Sequence, residues 1–280
     1  MIIARPRAVC SSEKRDLFEE KTANRYNECM EQLSFFPTED DRQPVSTMWN
    51  LWHGCTKTSP GCAHCYVYRR DESVGRDPGI VQKTQNFNLP IRKMRDGRYK
   101  IPSGSHFATC FSSDFFHPDA DGWRKDAWDM MRSRSDCTFF MITKRPERIK
   151  DHLPDDWGPG WDHVSIAVTC ENQEMVKKRL PVYLALPLRH YSVMVEPMLS
   201  AVDLRPYIDK LDFVSAGGES GPDARPCDYD WVLDLHDQCK ENGVSFSYHQ
   251  TGARLVKDGK IYRIPRSKQH SQAKKAGLDS

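Results

Sequence analysis

Short runs of β-branched and aromatic residues recur along the middle of the chain at a regular interval. Their starts are separated by 31, 27, 27, 22 and 31 residues. The runs are His106–Cys110, Cys137–Thr143, Val164–Thr169, Tyr191–Val195, Phe213–Ala216 and Val244–Tyr248. Most intervals contain apolar residues at helical spacing, as in 122–134, 172–186 and 229–242. This alternation predicts βαβ units around a parallel sheet.

A further strand near Met48–Trp52 precedes these six runs. Seven strands are too many for a small open sheet and one short of a complete eight-unit barrel. We therefore predict an α/β fold, a partial (β/α) barrel of about six or seven parallel strands spanning residues 46–252. A doubly wound sheet is the alternative.

The two ends of the chain carry opposite charge. Residues 11–42 contain nine acids and five bases, a net charge of −4, and a thin apolar stripe predicts a helix within an acidic extension, 1–45. Residues 253–280 contain eight bases and two acids, a net charge of +6. There the Asp-Gly pair within Leu255–Tyr262 predicts a β-hairpin, and the polar tail after Pro265 is expected to be frayed.

The composition, 38% hydrophobic and 29% charged residues, is typical of a soluble globular chain. No apolar run is long enough to cross a bilayer, and the N-terminus has no signal-peptide pattern, so we expect a cytoplasmic protein. A formal charge of +2 gives no argument from overall basicity. The ten cysteines are expected to be thiols, because the cytosol is reducing.

Three of the ten cysteines lie close together in the segment 53–66. Cys55, Cys62 and Cys65 have the spacing C-x6-C-x2-C, with glycine and proline between the first two. Such a stretch predicts a loop, and a helix start at its end favours thiolates. Three converging thiolates are typical of a soft metal site.

Three alternatives remain for this loop. A structural zinc ion needs a fourth ligand, which His53 or His64 would supply. An iron–sulfur cluster held by three cysteines leaves one iron open to a substrate or cofactor. The thiols are otherwise close only by coincidence. The remaining cysteines except Cys170 lack ligand spacing and are assigned to packing: Cys10, Cys29, Cys110, Cys137, Cys227 and Cys239.

A polar or charged group follows each of the six predicted strands. The strand exits are 111–117, 143–145, 169–172, 196–197, 217–221 and 249–250. Because ligands bind at the carboxyl ends of parallel strands, these exits predict one polar pocket at a barrel mouth. His117, His249 and Gln250 are further candidates for that pocket, whereas Trp123 and the tryptophans at 128 and 157 are expected in the core or on a helix face rather than as stacking platforms.

The cysteine loop and the predicted barrel together resemble the radical SAM superfamily, in which three cysteines hold a 4Fe–4S cluster and S-adenosylmethionine binds the fourth iron. The usual spacing there is C-x3-C-x2-C, so the first gap here is longer, and His64 stands where an aromatic residue is common. Several motifs across about residues 48–265 more closely resemble an uncharacterised, largely phage-associated family regarded as an outlying group of that superfamily. They are Trp49-Asn50, Gly54–Lys57, Ser59–Cys62, His64–Tyr66, Gly217–Gly221 and Gln250-x-Gly252.

The resemblance implies a radical SAM enzyme, in which a flavodoxin-like or chemical reductant drives cleavage of S-adenosylmethionine to methionine and a 5′-deoxyadenosyl radical. The cluster ligands it implies are Cys55, Cys62 and Cys65. His64 and Tyr66 fall beside the cofactor. Where the superfamily binds the cofactor's amino group with Gly-Gly-Glu, this chain has Ser112-Ser113-Asp114.

The other candidate residues follow later strands. Lys144 and Arg145 are candidates for the cofactor's carboxylate or are solvated charges. Three alternatives remain for Gly217-Gly218-Glu219: the segment binds the substrate, binds the cofactor, or only forms a turn after a buried strand. Glu196 is a candidate pocket acid, and Cys170 is either a radical relay or a buried thiol.

Evidence for a partner comes from two basic stretches, 92–100 and 253–280, which would meet phosphates. Together with the resemblance to a largely phage-associated family, these basic stretches favour an enzyme that modifies a base in DNA, RNA or a nucleotide. One alternative function is a zinc-stabilised nucleic-acid-binding module without catalysis. Another is an iron–sulfur protein that transfers electrons without S-adenosylmethionine. The sequence predicts neither the substrate itself nor the oligomeric state.

Overall fold

Twelve strands occur in residues 42–280, which are the residues that the structure, a computed structural model, describes. They are β1 (Ser46–Trp49), β2 (Trp52–His53), β3 (Gln82–Lys83), β4 (His106–Thr109), β5 (Thr138–Thr143), β6 (Val164–Thr169), β7 (Ser192–Val195), β8 (Phe213–Gly217), β9 (Cys227–Asp228), β10 (Ser245–Gln250), β11 (Arg254–Lys257) and β12 (Lys260–Arg263). The acidic helix predicted within residues 1–45 lies outside the described residues.

Seven of these strands form one parallel sheet in the order β1-β4-β5-β6-β7-β8-β10. Each strand pairs with the next sheet strand along the chain, so the strand order never reverses as it does in a doubly wound sheet. The edge strands β1 and β10 do not pair with each other, and the sheet is a curled half-barrel. The predicted partial barrel is confirmed.

The described residues also contain five α-helices. They are α1 (Tyr66–Ser73), α2 (Asp121–Ser133), α3 (Gln173–Tyr183), α4 (Tyr229–Glu241) and α5 (Gln269–Lys274). Side-chain caps begin two of them: Asn172 accepts a hydrogen bond from the Met175 amide before α3, and Asp228 accepts one from the Asp230 amide before α4. Helices α2, α3 and α4 follow the predicted segments within a few residues.

The core lies against the sheet and is rich in aromatic side chains. Phe107 and Phe139 stack with their ring centroids 4.9 Å apart, and Trp49 meets Phe139 edge to face at 5.6 Å. All four residues of β7 are buried, as expected of a strand in a parallel sheet whose two faces are covered. The apolar runs of the sequence are therefore the strands that fill this core.

The C-terminal segment contains the predicted hairpin. Strands β11 and β12 pair antiparallel, and Asp258 and Gly259 turn between them with φ of 51° and 70°. The prediction of a frayed tail is wrong. Ser280 and Phe246 exchange two backbone hydrogen bonds of 2.9 and 3.0 Å, and α5 buries Gln269. Backbone hydrogen bonds attach this polar segment to β10, so the sequence of its side chains does not reveal that it packs against the sheet.

No helix within residues 42–280 is long and apolar enough to cross a membrane.

Candidate functional site

The cysteine loop, residues 53–66, lies across the carboxyl end of the sheet. Its entry is held by the Gly54 amide, which donates to the Ser112 carbonyl at 3.2 Å. Cys62 closes a short 3-10 turn, and Cys65 is the residue that precedes the first turn of α1. As predicted, a loop followed by a helix start presents the last two thiols.

The three thiols of this loop differ from the other cysteines in their exposure. Cys55, Cys62 and Cys65 are half-buried, whereas the other five described cysteines are buried: Cys110, Cys137, Cys170, Cys227 and Cys239. Burial, and then the charge of each of the three loop thiolates, raises the pKa of the Tyr68 hydroxyl. The loop thiols thus share one neighbourhood beside Tyr68. Among residues 42–280, no three His, Cys, Asp or Glu side chains converge on a single ion position.

A buried carboxylate at the end of β6 holds the middle of the loop. Glu171 accepts hydrogen bonds from the Ser59 hydroxyl and, at 2.9 Å, from the Gly61 amide. Its other oxygen lies 2.7 Å from Arg179 of α3. Burial opposes ionisation of Glu171, but the Arg179 charge outweighs it and lowers the pKa of this carboxyl group. The carboxylate therefore stays ionised. A Cβ at Gly61 would lie 2.8 Å from this carboxyl group, so any larger residue there would displace the Glu171 side chain.

A second carboxylate, which follows β8, holds the same loop. Glu219, which is 5% exposed, accepts hydrogen bonds of 2.6 to 3.0 Å from the amide and guanidinium of Arg225. Arg225 in turn donates to the Pro60 carbonyl at 2.9 Å. Beside it, Arg69 of α1 donates to the Ser220 carbonyl at 2.5 Å. The segment Gly217–Gly221 therefore supports the cysteine loop and the helix that follows it.

A third set of contacts reaches the loop from β4 and β5. The Arg145 guanidinium lies 3.0 Å from Asp114 and donates to the Thr56 carbonyl at 2.9 Å. Asp114 also accepts hydrogen bonds from Thr143 at 2.8 Å and from the amides of Phe116 and Lys144. Four protein donors leave this carboxylate little capacity for an incoming amino group.

The first two thiols of the loop have different electrostatic surroundings. Burial, and then the Asp114 charge, raises the pKa of Cys55 to about 11. Burial also opposes ionisation of Cys62, but the Lys144 ammonium and the backbone at Thr58 and Ser59 lower its pKa. Lys144 is half-buried and its ammonium lies 3.4 Å from the Thr169 hydroxyl, so a cation points into the mouth of the half-barrel.

The two serines after β4 and the tyrosine after Cys65 contact backbone carbonyls. Ser112 donates to the Trp52 carbonyl at 3.0 Å, and Ser113 donates to the Gly54 carbonyl. Tyr66 is 48% exposed, but its hydroxyl donates to the Phe111 carbonyl. Desolvation of this hydroxyl is the main cause that raises its pKa to about 12. These hydroxyl groups shape the loop around the predicted site.

Glu196 and His249 form a polar pair at the ends of β7 and β10. The His249 Nδ1 atom lies 2.7 Å from Glu196 Oε2, and the Ser215 hydroxyl donates to the other Glu196 oxygen. The hydrogen bond that His249 donates to this carboxylate raises the pKa of His249. A Cβ at Gly217 would lie 2.9 Å from Glu196 Oε2, so the first glycine of Gly217-Gly218 leaves room for this pair.

The remaining candidate residues have packing or structural roles. Cys170 is fully buried, and burial raises the pKa of its thiol to about 12. Gly218 and Gly252 approach each other so closely that a Cβ on either would overlap the other's backbone. His53 is buried with its Nε2 atom 2.5 Å from Asp71, which leaves His64, half-buried and adjacent to Cys65, as the freer imidazole.

The other residues predicted for the polar pocket, His117 and Gln250, also hydrogen-bond to neighbouring side chains. His117 is buried and contacts the Thr56 hydroxyl at 2.9 Å, while Gln250 accepts a hydrogen bond of 2.7 Å from Arg266. Of the three tryptophans assigned to the core or a helix face, Trp128 and Trp157 are buried, and Trp123 packs half-buried against the core.

Sequence reasoning did not identify the residues that hold the loop: Glu171, Arg179, Arg225 and Arg69. Glu171 stood in a predicted strand exit, which was the available signal. The arginines lie on helices or in loops with ordinary surface spacing, so no local pattern distinguishes them. The roles of Arg69 and Arg225 follow from partners more than a hundred residues away, Ser220 and Pro60, and Arg179 acts on the loop only through Glu171.

Residues 43–279 match the family described as "Protein of unknown function (DUF5131)". The chain belongs to this family. No curated protein matches it. Among solved structures, a similar chain is "Spore photoproduct lyase complexed with dinucleoside spore photoproduct", with a TM-score of 0.42 and 13% sequence identity over 82% of this chain and 70% of that one. At this level the match establishes neither a shared fold nor a shared activity.

Proposed function

We propose that the protein is a radical SAM enzyme in which Cys55, Cys62 and Cys65 hold a 4Fe–4S cluster. One observation carries the proposal. These three thiols are half-buried on a loop at the carboxyl end of a parallel half-barrel, whereas the other five described cysteines are buried. That end of a parallel α/β sheet is where ligands bind.

The donor set fits such a cluster. Thiolates are the usual ligands of iron–sulfur clusters, and three of them leave one iron for a cofactor. The loop backbone is fixed by Glu171 and by Arg225, so the thiols are presented by a rigid segment. When bound and reduced, the cluster would supply the electron that cleaves S-adenosylmethionine to methionine and a 5′-deoxyadenosyl radical.

The chain's own residues would bind and orient the reactants. The Lys144 ammonium, whose charge lowers the pKa of Cys62, is the available cation for the carboxylate of S-adenosylmethionine, because Arg145 is already paired with Asp114 and Thr56. The pair Glu196–His249 lies at the far side of the mouth and would hydrogen-bond to a substrate there. We propose a base in a nucleic acid or nucleotide as that substrate, because the adjoining C-terminal segment is strongly basic.

The second candidate function is a zinc-stabilised nucleic-acid-binding module. The same three thiols with His64 would form a Cys3His site, and His64 is adjacent to Cys65. This alternative needs no S-adenosylmethionine and no reductant, so metal analysis separates it from the first.

Iron, sulfide and zinc analysis of anaerobically purified protein tests the proposal. We expect a brown protein that absorbs near about 400 nm and forms 5′-deoxyadenosine with dithionite and S-adenosylmethionine. Cys55→Ala, Cys62→Ala and Cys65→Ala should each lose the iron, while the control Cys239→Ala should retain it. A colourless protein holding one zinc would overturn the cluster, and iron without 5′-deoxyadenosine would favour electron transfer.

A further inference from the structure

A groove of about 530 Å³ lies between Gly221-Pro222 and the C-terminal hairpin with the turn that follows it. Its residues combine an apolar surface with three guanidinium groups. The apolar residues include Pro222, Ile264 and Pro265, and the basic residues are Arg254, Arg263 and Arg266. Among the described residues, 42–280, no acidic side chain lines this groove.

The hairpin register places like charges directly opposite each other. Arg254 pairs with Arg263 across the strands β11 and β12, and Lys257 pairs with Lys260 at the turn end. Opposed like charges destabilise a hairpin. Within residues 42–280 no acid lies within ion-pairing distance of Arg254, Arg263 or Arg266 to relieve this repulsion, so a bound anion would stabilise the arrangement.

The three guanidinium groups keep donors for a ligand. Arg254 uses one nitrogen to reach the Pro222 carbonyl at 3.1 Å, and Arg266 uses one nitrogen to reach Gln250 and Gln269. Arg263 is exposed. Guanidinium groups with unused N–H donors bind phosphate oxygens in pairs.

The groove adjoins the candidate site through Gly221. A Cβ at Gly221 would overlap the Arg69 guanidinium, so Arg69 packs directly on the glycine at the groove edge. Arg69 lies on α1, the helix that begins after Cys65. On the other side, the Arg266 charge acts on both His249 and Tyr66. A chain lying in the groove would therefore run toward the mouth of the half-barrel.

We propose that this groove binds the backbone of a single-stranded nucleic acid, with phosphates on Arg254, Arg263 and Arg266 and sugar or base surfaces on the apolar residues. A duplex hides its base faces and would leave the apolar surface without a partner. A base must also leave its stack to reach a pocket. The inference rests on the proposed substrate class, but binding in the groove does not require the cluster.

Fluorescence anisotropy with a labelled oligodeoxythymidine strand and the full chain tests this proposal. We expect Arg254→Gln/Arg263→Gln, which removes two phosphate contacts, to weaken binding about 25-fold at about 0.1 M salt. On a single strand, each lost contact reduces the slope of log K against log salt by about 0.7. The slope of log K against log salt should fall by about 1.4. The control Lys177→Gln/Lys178→Gln, on α3, removes the same net charge and should leave binding unchanged.

Three outcomes would overturn the groove: no binding by the wild type, equal weakening in the control, or tighter binding of the matching duplex. Circular dichroism on both double variants confirms that each is folded. The iron and 5′-deoxyadenosine assays are independent of this result. A protein that makes 5′-deoxyadenosine but fails the binding test refutes the groove alone, and one that binds but holds no iron refutes the radical chemistry alone.

Discussion

The Gly61 amide donates a hydrogen bond of 2.9 Å to Glu171, a fully buried carboxylate at the end of β6. Because Glu171 is also paired with Arg179, the cysteine loop is attached to the sheet through a buried charge pair. The loop geometry therefore depends on a residue more than a hundred positions away from the cysteines.

Replacing Glu171 by Gln should release this attachment. The Arg179 charge would remain buried without its partner, and we expect the free energy of unfolding to fall by about 3 kcal/mol. Denaturant unfolding measures this, and iron content measures the effect on the loop. Glu174→Gln, an exposed change on α3, is the matched control. Equal stability of the two variants would contradict the role given to Glu171.

Replacing Gly61 by Ala should disturb the same contact from the other side. The added Cβ would lie 2.8 Å from the Glu171 carboxyl, and we expect a loss of about 1–3 kcal/mol of stability with lower iron retention. Gly122→Ala is the control, because a Cβ there meets no atom within 4 Å and alanine favours helix α2. The contact is unimportant if Gly61→Ala unfolds like the wild type.

The pair Glu196–His249 should make stability depend on pH. Its hydrogen bond raises the pKa of His249 above the usual value of about 6.5, so the contribution is complete below that pH and is lost as pH rises through the raised pKa. The difference in Tm between wild type and His249→Gln should be larger at low than at high pH. In Glu196→Gln, the pKa of His249 measured by NMR should fall; an unchanged value would rule out this pairing.

Alkylation of cluster-free, folded protein should divide the described cysteines in two groups. Cys55, Cys62 and Cys65 are half-buried and should react with iodoacetamide, while the five buried cysteines should react only in denaturant. Cys62 should react faster than Cys55, because the thiolate is the nucleophile and the pKa of Cys55 is raised whereas that of Cys62 is lowered. Peptide mass spectrometry identifies the labelled positions. Reconstitution with iron and sulfide should protect the three loop cysteines, and labelling of Cys170 at a similar rate in the folded protein would show that it is not buried.

The strands and helices of the half-barrel could be predicted because they are local patterns. Val164–Thr169 was predicted residue for residue as β6, since a short β-branched run between turn signals specifies a buried strand. The Asp258-Gly259 turn likewise identified its hairpin. Docking of the tail through Ser280 and Phe246 was missed, because backbone pairing leaves no side-chain pattern.

The sequence by itself determined which thiols are grouped, because Cys55, Cys62 and Cys65 are neighbours along the chain whatever the fold. It also determined the periodicity that makes a parallel half-barrel. Only the tertiary structure decided that Glu171 and Glu219 support the loop, and that Asp114 is occupied by four protein donors. The physical reason is distance along the chain: a hydrogen bond between residues 110 positions apart depends on the curvature of the whole sheet.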